Sequence, residues 1–221
     1  MNIVDLAEVL LLHAGTAWVL WVLVLLSIAS VAIATERGIV LRRKHGDAKR
    51  LAERLEAVLH GDGTLEDARR SLDGDVSSGA IVLRAGLAFA DGGVDAVTHA
   101  MNAATTSERS ALEARVTFLG TLGNNAPFIG LFGTVIGVVS AFDELGRAST
   151  AAAASSVASA GVMSAIAEAL VATAVGIGVA LPAVAANNAI RRKISGILTD
   201  AEALGSVLLA HVARRATQGA R

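Results

Sequence analysis

VTFLGTLGNNAPFIGLFGTVIGVVSAF, residues 116–142, runs without a formal charge from Arg115 to Asp143. Crossing the roughly 30 Å hydrocarbon layer of a bilayer takes about 20 residues of helix, so this stretch is long enough to span one. Gly130, Gly133 and Gly137 recur at steps of three and four and therefore share one helix face. In lipid, where burial of area drives little helix association, such small-residue stripes let backbones approach closely. Two further stretches qualify as spans. One lies between Glu8 and Glu36, with its apolar core at residues 14–34; the other lies between Arg147 and Arg191 and holds a single ionisable side chain, Glu168. Ala165, Ala169, Ala172, Gly176 and Ala180 form a second stripe in that third span. Both stripes read as packing surfaces, within one subunit or between subunits.

The rest of the composition agrees with a membrane protein. Of 221 residues, 53% are hydrophobic and 18% charged, against the roughly 25% charged residues of soluble domains. Mean hydropathy is +0.58. There is no cysteine, which excludes disulfides and Cys-ligated metals. A net charge of −1 offers nothing to nucleic acid.

Charge also sets the predicted orientation. Twelve Lys and Arg lie from Glu36 to Arg115 and six follow the third span, so 18 of 19 fall on one side, with Arg147 the exception. Positive-inside bias then places that side in the cytoplasm. Ala32-Ile33-Ala34 resembles a signal-peptidase site, but no Lys or Arg precedes Arg37, so the basic leader region of a signal peptide is missing. The reading is an all-α membrane protein with an outer N-terminus (1–13), transmembrane helices at 14–35, 116–143 and 162–186, a cytoplasmic helical region (36–115), an outer loop (144–161) and a cytoplasmic C-terminal helix (187–221).

The cytoplasmic region carries 25 charges in 80 residues, yet Leu51, Leu55, Val58 and Leu59 keep helical spacing. Breaks are predicted at Gly61-Asp62-Gly63, Asp73-Gly74-Asp75 and Asp91-Gly92-Gly93, with Thr64 as an N-cap. From Val94 to Phe142 the only proline is Pro127, which predicts one helix rising from the cytoplasm through the second span. The third span is expected to continue past Pro182 toward Val212, so that two long helices extend into a cytoplasmic stalk.

Glu168 is the sharpest candidate for chemistry. A charged group at the centre of a membrane helix costs about 2.5–3.5 kcal/mol on insertion scales, so it must face protein, water or a partner. Near a helix end it can instead snorkel toward the interface. Thr134 and Thr173 fall near mid-span on the second and third spans, where hydroxyls can line a water wire or bind a carboxyl group. The commoner fate of such threonines is back-bonding to their own helix. Glu168 and Thr173 stand about 140° apart on an ideal helix and need not share a face.

Other chemistries lack their residues. His13, His45, His60, His99 and His211 form no H-E-x-x-H motif, and no Lys-Ser/Thr pair follows a glycine run. The segment from Asp73 begins like a calcium loop, but Ser78 stands where glycine is needed and Arg84 where glutamate is needed, so it reads as a turn. No enzyme, cofactor or metal is indicated.

Ala126-Pro127-Phe128-Ile129-Gly130-Leu131-Phe132-Gly133-Thr134-Val135-Ile136-Gly137 resembles one hallmark span of the TolQ/ExbB/MotA proton-channel family. Ile166-Ala167-Glu168-Ala169-Leu170-Val171-Ala172-Thr173-Ala174, followed by Ala180-Leu181-Pro182-Ala183-Val184, resembles the other. The short outer N-terminus and Ser27-Ile28-Ala29-Ser30 resemble TolQ more than the long-tailed ExbB members, and three spans place the chain nearer the TolQ/ExbB branch than MotA, which has four. The resemblance implies a homopentamer in the bacterial inner membrane, its second and third spans lining a pore. Inside sits a dimer of a single-span TolR/ExbD-like partner bearing an intramembrane Asp. It maps pore threonines onto Thr134 and Thr173 and the intramembrane glutamate onto Glu168, with Gly130, Gly133, Gly137, Ala169, Ala172 and Gly176 packing near the pore.

A proton moving through 100 mV releases about 2.3 kcal/mol, but using it requires a group that titrates within the barrier. This chain has no carboxylate near mid-span, and hydroxyls do not titrate at physiological pH, so the acid must be borrowed. The expected function is the scaffold and channel subunit of a proton-driven motor, the alternative a non-conducting structural scaffold. A self-contained transporter would show inverted repeats or broken helices, and three unequal spans show neither.

Overall fold

The computed structural model describes residues 15–60, 64–149 and 155–219. The predicted outer N-terminus, the break at Gly61-Asp62-Gly63 and residues 150–154 of the predicted outer loop lie outside them. Every regular element described is helical: α1 (Ala17–Lys44), α2 (Ala48–His60), α3 (Leu65–Ser71), α4 (Ser78–Leu87), a 3-10 turn (Ala90–Gly92), α5 (Gly93–Glu113), α6 (Val116–Ser149) and α7 (Ser155–Gly219). Three helical stretches, within Ala17–Val58, Val116–Gly146 and Ala160–Thr217, are long and apolar enough to cross a membrane.

The chain divides into two compact units, one holding residues 15–34 and 117–187 and the other 35–116 and 188–219. The first is built on Val19 and Leu23 of α1, Leu122, Ala126 and Ile136 of α6, and Val179, Ala180 and Ala183 of α7. Its outside also carries large apolar side chains. Trp21, Phe128, Phe142 and Leu181 are each about two-thirds exposed, a surface that water penalises at roughly 25 cal/mol per Å² and hydrocarbon does not. Pro127 and Pro182 lie inside α6 and α7. The residue four back, whose carbonyl a helical proline crowds and leaves unbonded, is glycine in both cases, Gly123 and Gly178.

The second unit has its own core. Leu51 and Leu55 of α2, Leu72 after α3, Leu83 and Leu87 of α4, and Val97 and Met101 of α5 close on Ala201, Leu204, Leu208 and Val212 of α7. Those four α7 positions advance by three and four residues, so one stripe faces the bundle. Across the unit, Lys44 Nζ lies 3.0 Å from Glu108 Oε2, which also accepts from Ser78 Oγ at 2.8 Å. This tie joins the end of α1 to α4 and α5.

Its turns follow from local chemistry. Thr64 caps α3 in a reciprocal capping box with Asp67. Gly74 takes the left-handed φ of 81° at the turn after α3. The following loop is held by Arg84, whose Nη1 donates to the carbonyls of Leu72 at 2.7 Å and Asp75 at 2.9 Å. A guanidinium thus fills the position where a calcium loop carries its closing glutamate.

The single helix expected from Val94 to Phe142 does not form. The backbone leaves the helix at Ala114 (ψ 135°) and Arg115 (φ 63°), so α5 and α6 are separate. Neither residue is a glycine or proline, and the cause is tertiary. Arg37 of α1, only 7% exposed, donates from Nη1 to the Ala111 carbonyl at 3.2 Å. It thereby satisfies one of the four carbonyls that end α5 without a helical partner. Arg115 Nη1 reaches both oxygens of Glu36 at 2.7 Å. That hydrogen bond, more than any other influence, holds the Glu36 carboxyl below the usual carboxylate range.

Candidate functional site

The site rests on how closely α6 and α7 approach. A Cβ placed on Gly130 would lie 2.8 Å from the Ala172 carbonyl oxygen and 3.0 Å from the Thr173 Cα, both backbone atoms that cannot swing aside. On Gly176 it would meet the Ala126 carbonyl oxygen at 2.7 Å, and on Gly137 the Ala169 Cβ at 2.5 Å. A Cβ on Gly133 would meet the Ala172 Cβ at 2.7 Å and Val19 of α1 at 3.4 Å. Gly130, Gly133, Gly137, Ala169, Ala172 and Gly176 therefore meet one another within a single chain. The pair is closed where only hydrogens fit between the backbones.

Contact this close brings a side chain of one helix to the main chain of the other. Thr173 Oγ1 donates to the Gly130 carbonyl at 3.0 Å. In a regular helix that carbonyl also receives the N–H of Thr134. Thr134 Oγ1 donates to the Leu131 carbonyl of its own helix at 2.6 Å. Both hydroxyls are thus tied to one stretch of α6 backbone, and each is only partly exposed. A hydroxyl has one proton and two lone pairs. With the proton given to a carbonyl, each threonine presents only acceptor capacity to anything that approaches.

Glu168 is engaged elsewhere. Its Oε2 accepts from Thr16 Oγ1 at 2.7 Å, at the head of α1. The structure therefore separates the carboxylate from the hydroxyl pair, with Glu168 facing α1 and Thr173 facing α6. Thr16 was not singled out in the sequence. Its only signal there is a hydroxyl beside Gly15 at the entrance to an apolar run. Ser30, in the first span, donates to the Ser27 carbonyl at 2.8 Å, a local back-bond. Among the described residues no group of three His, Cys, Asp or Glu side chains converges to hold a metal.

In sequence the chain resembles known proteins. The Tol-Pal system protein TolQ of Pseudomonas aeruginosa is 42% identical over 98 residues, covering 44% of this chain and 40% of that protein. TolQ of Haemophilus influenzae is 43% identical over 102 residues, covering 46% and 42%. The biopolymer transport protein ExbB of Xanthomonas campestris is 36% identical over 102 residues, covering 46% and 38%. The matched stretches thus span about two-fifths of these relatives' lengths. A model of the MotA/TolQ/ExbB proton channel family matches residues 74–203, which include α6, most of α7 and both threonines. With more than half of its length matched, and with its glycine-faced helix pair inside the match, the chain belongs to the MotA/TolQ/ExbB proton channel family.

Proposed function

We propose that this chain is the scaffold and channel subunit of a proton-motive-force-driven motor in the bacterial inner membrane. In this reading its N-terminus is periplasmic, its C-terminus cytoplasmic, and residues 14–35, 116–143 and 162–186 cross the bilayer. Five copies surround a dimer of a single-span TolR/ExbD-like protein whose intramembrane Asp supplies the titrating group. Thr134, Thr173 and Glu168 line the proton's route.

The observation that carries the reading is the commitment of both threonine protons to backbone carbonyls. Lone pairs held at fixed positions accept a hydrogen bond from a neutral carboxylic acid and offer nothing to a carboxylate. The scaffold would then grip the partner's acid when it is protonated and release it on ionisation. Proton arrival and departure are thereby converted into binding and movement. Each proton entering down a 100 mV potential supplies about 2.3 kcal/mol for that cycle.

The non-conducting scaffold has one observation in its favour: the same two bonds also satisfy the hydroxyls inside the chain, as purely structural threonines would be. Thr173→Ser and Thr173→Val separate the two. With assembly intact, Ser should retain proton flux through the reconstituted complex and Val should lower it by an order of magnitude or more, about 1.4 kcal/mol per tenfold. An assembled complex that passes no more protons than empty liposomes would leave the scaffold reading standing, and equal, measurable flux in wild type and Thr173→Val would remove Thr173 from the proton's route.

A further inference from the structure

Glu168 is an exposed carboxylate on α7, whereas the group that binds it is buried. Thr16 is 4% exposed, and its Oγ1 lies 2.7 Å from Glu168 Oε2 across 152 residues of sequence. We propose that Thr16 is the positioning residue for Glu168, fixing which way the carboxylate points along the route assigned to it above. The inference rests on that reading for its functional consequence but not for its geometry.

Three features aim the hydroxyl. Gly15 sits at φ 59°, a left-handed conformation that costs a side-chain-bearing residue roughly 1–2 kcal/mol, and it turns the chain into α1 at this point. The Thr16 carbonyl accepts from the Val19 N–H at 3.1 Å, closing the first turn. That turn is then pinned to α6, because Val19 is fully buried against Gly133 and Trp18 packs edge-on to Phe132 with ring centroids 6.1 Å apart. The hydroxyl therefore projects from a fixed frame. Glu168 is the mobile partner, with three side-chain torsions and an exposed surface, and one charge-assisted bond from Thr16 selects among its rotamers.

A plain helix clip would make the same contact, so the test must read orientation as well as assembly. Thr16→Val keeps the shape and removes the hydroxyl, while Thr16→Ser keeps the hydroxyl. In proteoliposomes holding the complete complex, Thr16→Val should lower proton influx about tenfold at unchanged assembly, the scale of one hydrogen bond to a charged group. Thr16→Ser should restore it, and in a Glu168→Gln background the valine should add nothing further. Equal loss from Ser and Val, or a full additional loss on top of Glu168→Gln, would overturn the proposal. The carboxyl ¹³C resonance of Glu168 gives a readout independent of flux: it should move in Thr16→Val and hold in Thr16→Ser. An unmoved resonance in Thr16→Val refutes the positioning role. A moved resonance with a fully active Glu168→Gln supports positioning and refutes the conduction role of Glu168.

Discussion

Gly176 and Gly178 stand two residues apart on one helix and answer opposite questions about it. A methyl group on Gly176 would press on the Ala126 carbonyl and the Gly130 backbone, whereas nothing lies within 4 Å of the place it would take on Gly178. Gly176→Ala should therefore destabilise the chain by about 1–3 kcal/mol through overpacking. Gly178→Ala should leave it unchanged or gain roughly 0.5–1 kcal/mol from the stiffer helical backbone. Thermal unfolding of the two variants in detergent, followed by circular dichroism, gives the comparison. Thr173 shows how far a residue can be read alone. Its hydroxyl, depth and helix were legible, but the carbonyl it binds belongs to a residue 43 positions away. Thr16 was silent in the sequence for a related reason: a hydroxyl at the mouth of a span has no preferred meaning until a carboxylate arrives beside it.

Among the elements, α3 is the shortest α-helix described and depends most on its cap. Thr64 Oγ1 accepts from the Asp67 N–H at 3.2 Å, and the Asp67 carboxylate accepts from the Thr64 N–H at 2.9 Å and the Thr64 hydroxyl at 2.7 Å. The hydroxyl bond first, and the backbone bond second, hold the Asp67 carboxyl below its ordinary range. A carboxyl depressed in the native state stabilises it above the unfolded value, and that stability is lost as pH falls through the native one. Amide exchange in α3 should accordingly accelerate, relative to α4, as the pH is taken from neutral to below the usual Asp range. Thr64→Ala, which removes the hydroxyl bond and keeps the backbone one, should reduce the pH dependence. The cap was readable because threonine before a short polar helix is a local signal. The break between α5 and α6 was not, since Glu113-Ala114-Arg115-Val116 contains no turn residue. It exists because Arg37 and Glu36, nearly eighty residues earlier, bind the two sides of the corner.

For the molecule as a whole, the apolar exterior of the first unit and the lopsided basic charge lead to one expectation about its setting. Because the chain has no cysteine, single introduced cysteines report sidedness without background. Glu56→Cys should react with an impermeant maleimide only from the cytoplasmic side of the membrane, and Ala160→Cys only from the periplasmic side. Native mass spectrometry of the complex should find five copies of this chain around two of the partner. A different copy number, or reversed labelling, would remove the proposed arrangement. Within the second unit, the fifteen-residue core drawn from four helices and the far end of α7 explains how a region so rich in charge folds.

Three apolar runs, the glycine and alanine stripes and the asymmetry of Lys and Arg are properties of local sequence, because membrane length, helical period and charge sorting all act on neighbouring residues. From these came the helical class and the residues worth watching. Tertiary structure alone decided that the stripes close on each other within one chain, that the Thr173 proton is spent on an α6 carbonyl, that Glu168 pairs with Thr16 at the head of α1, and that a helix stops at Arg115. Each is a contact between residues from 28 to 152 positions apart. A hydrogen bond's energy depends on where its partner is in space, which no sequence period encodes.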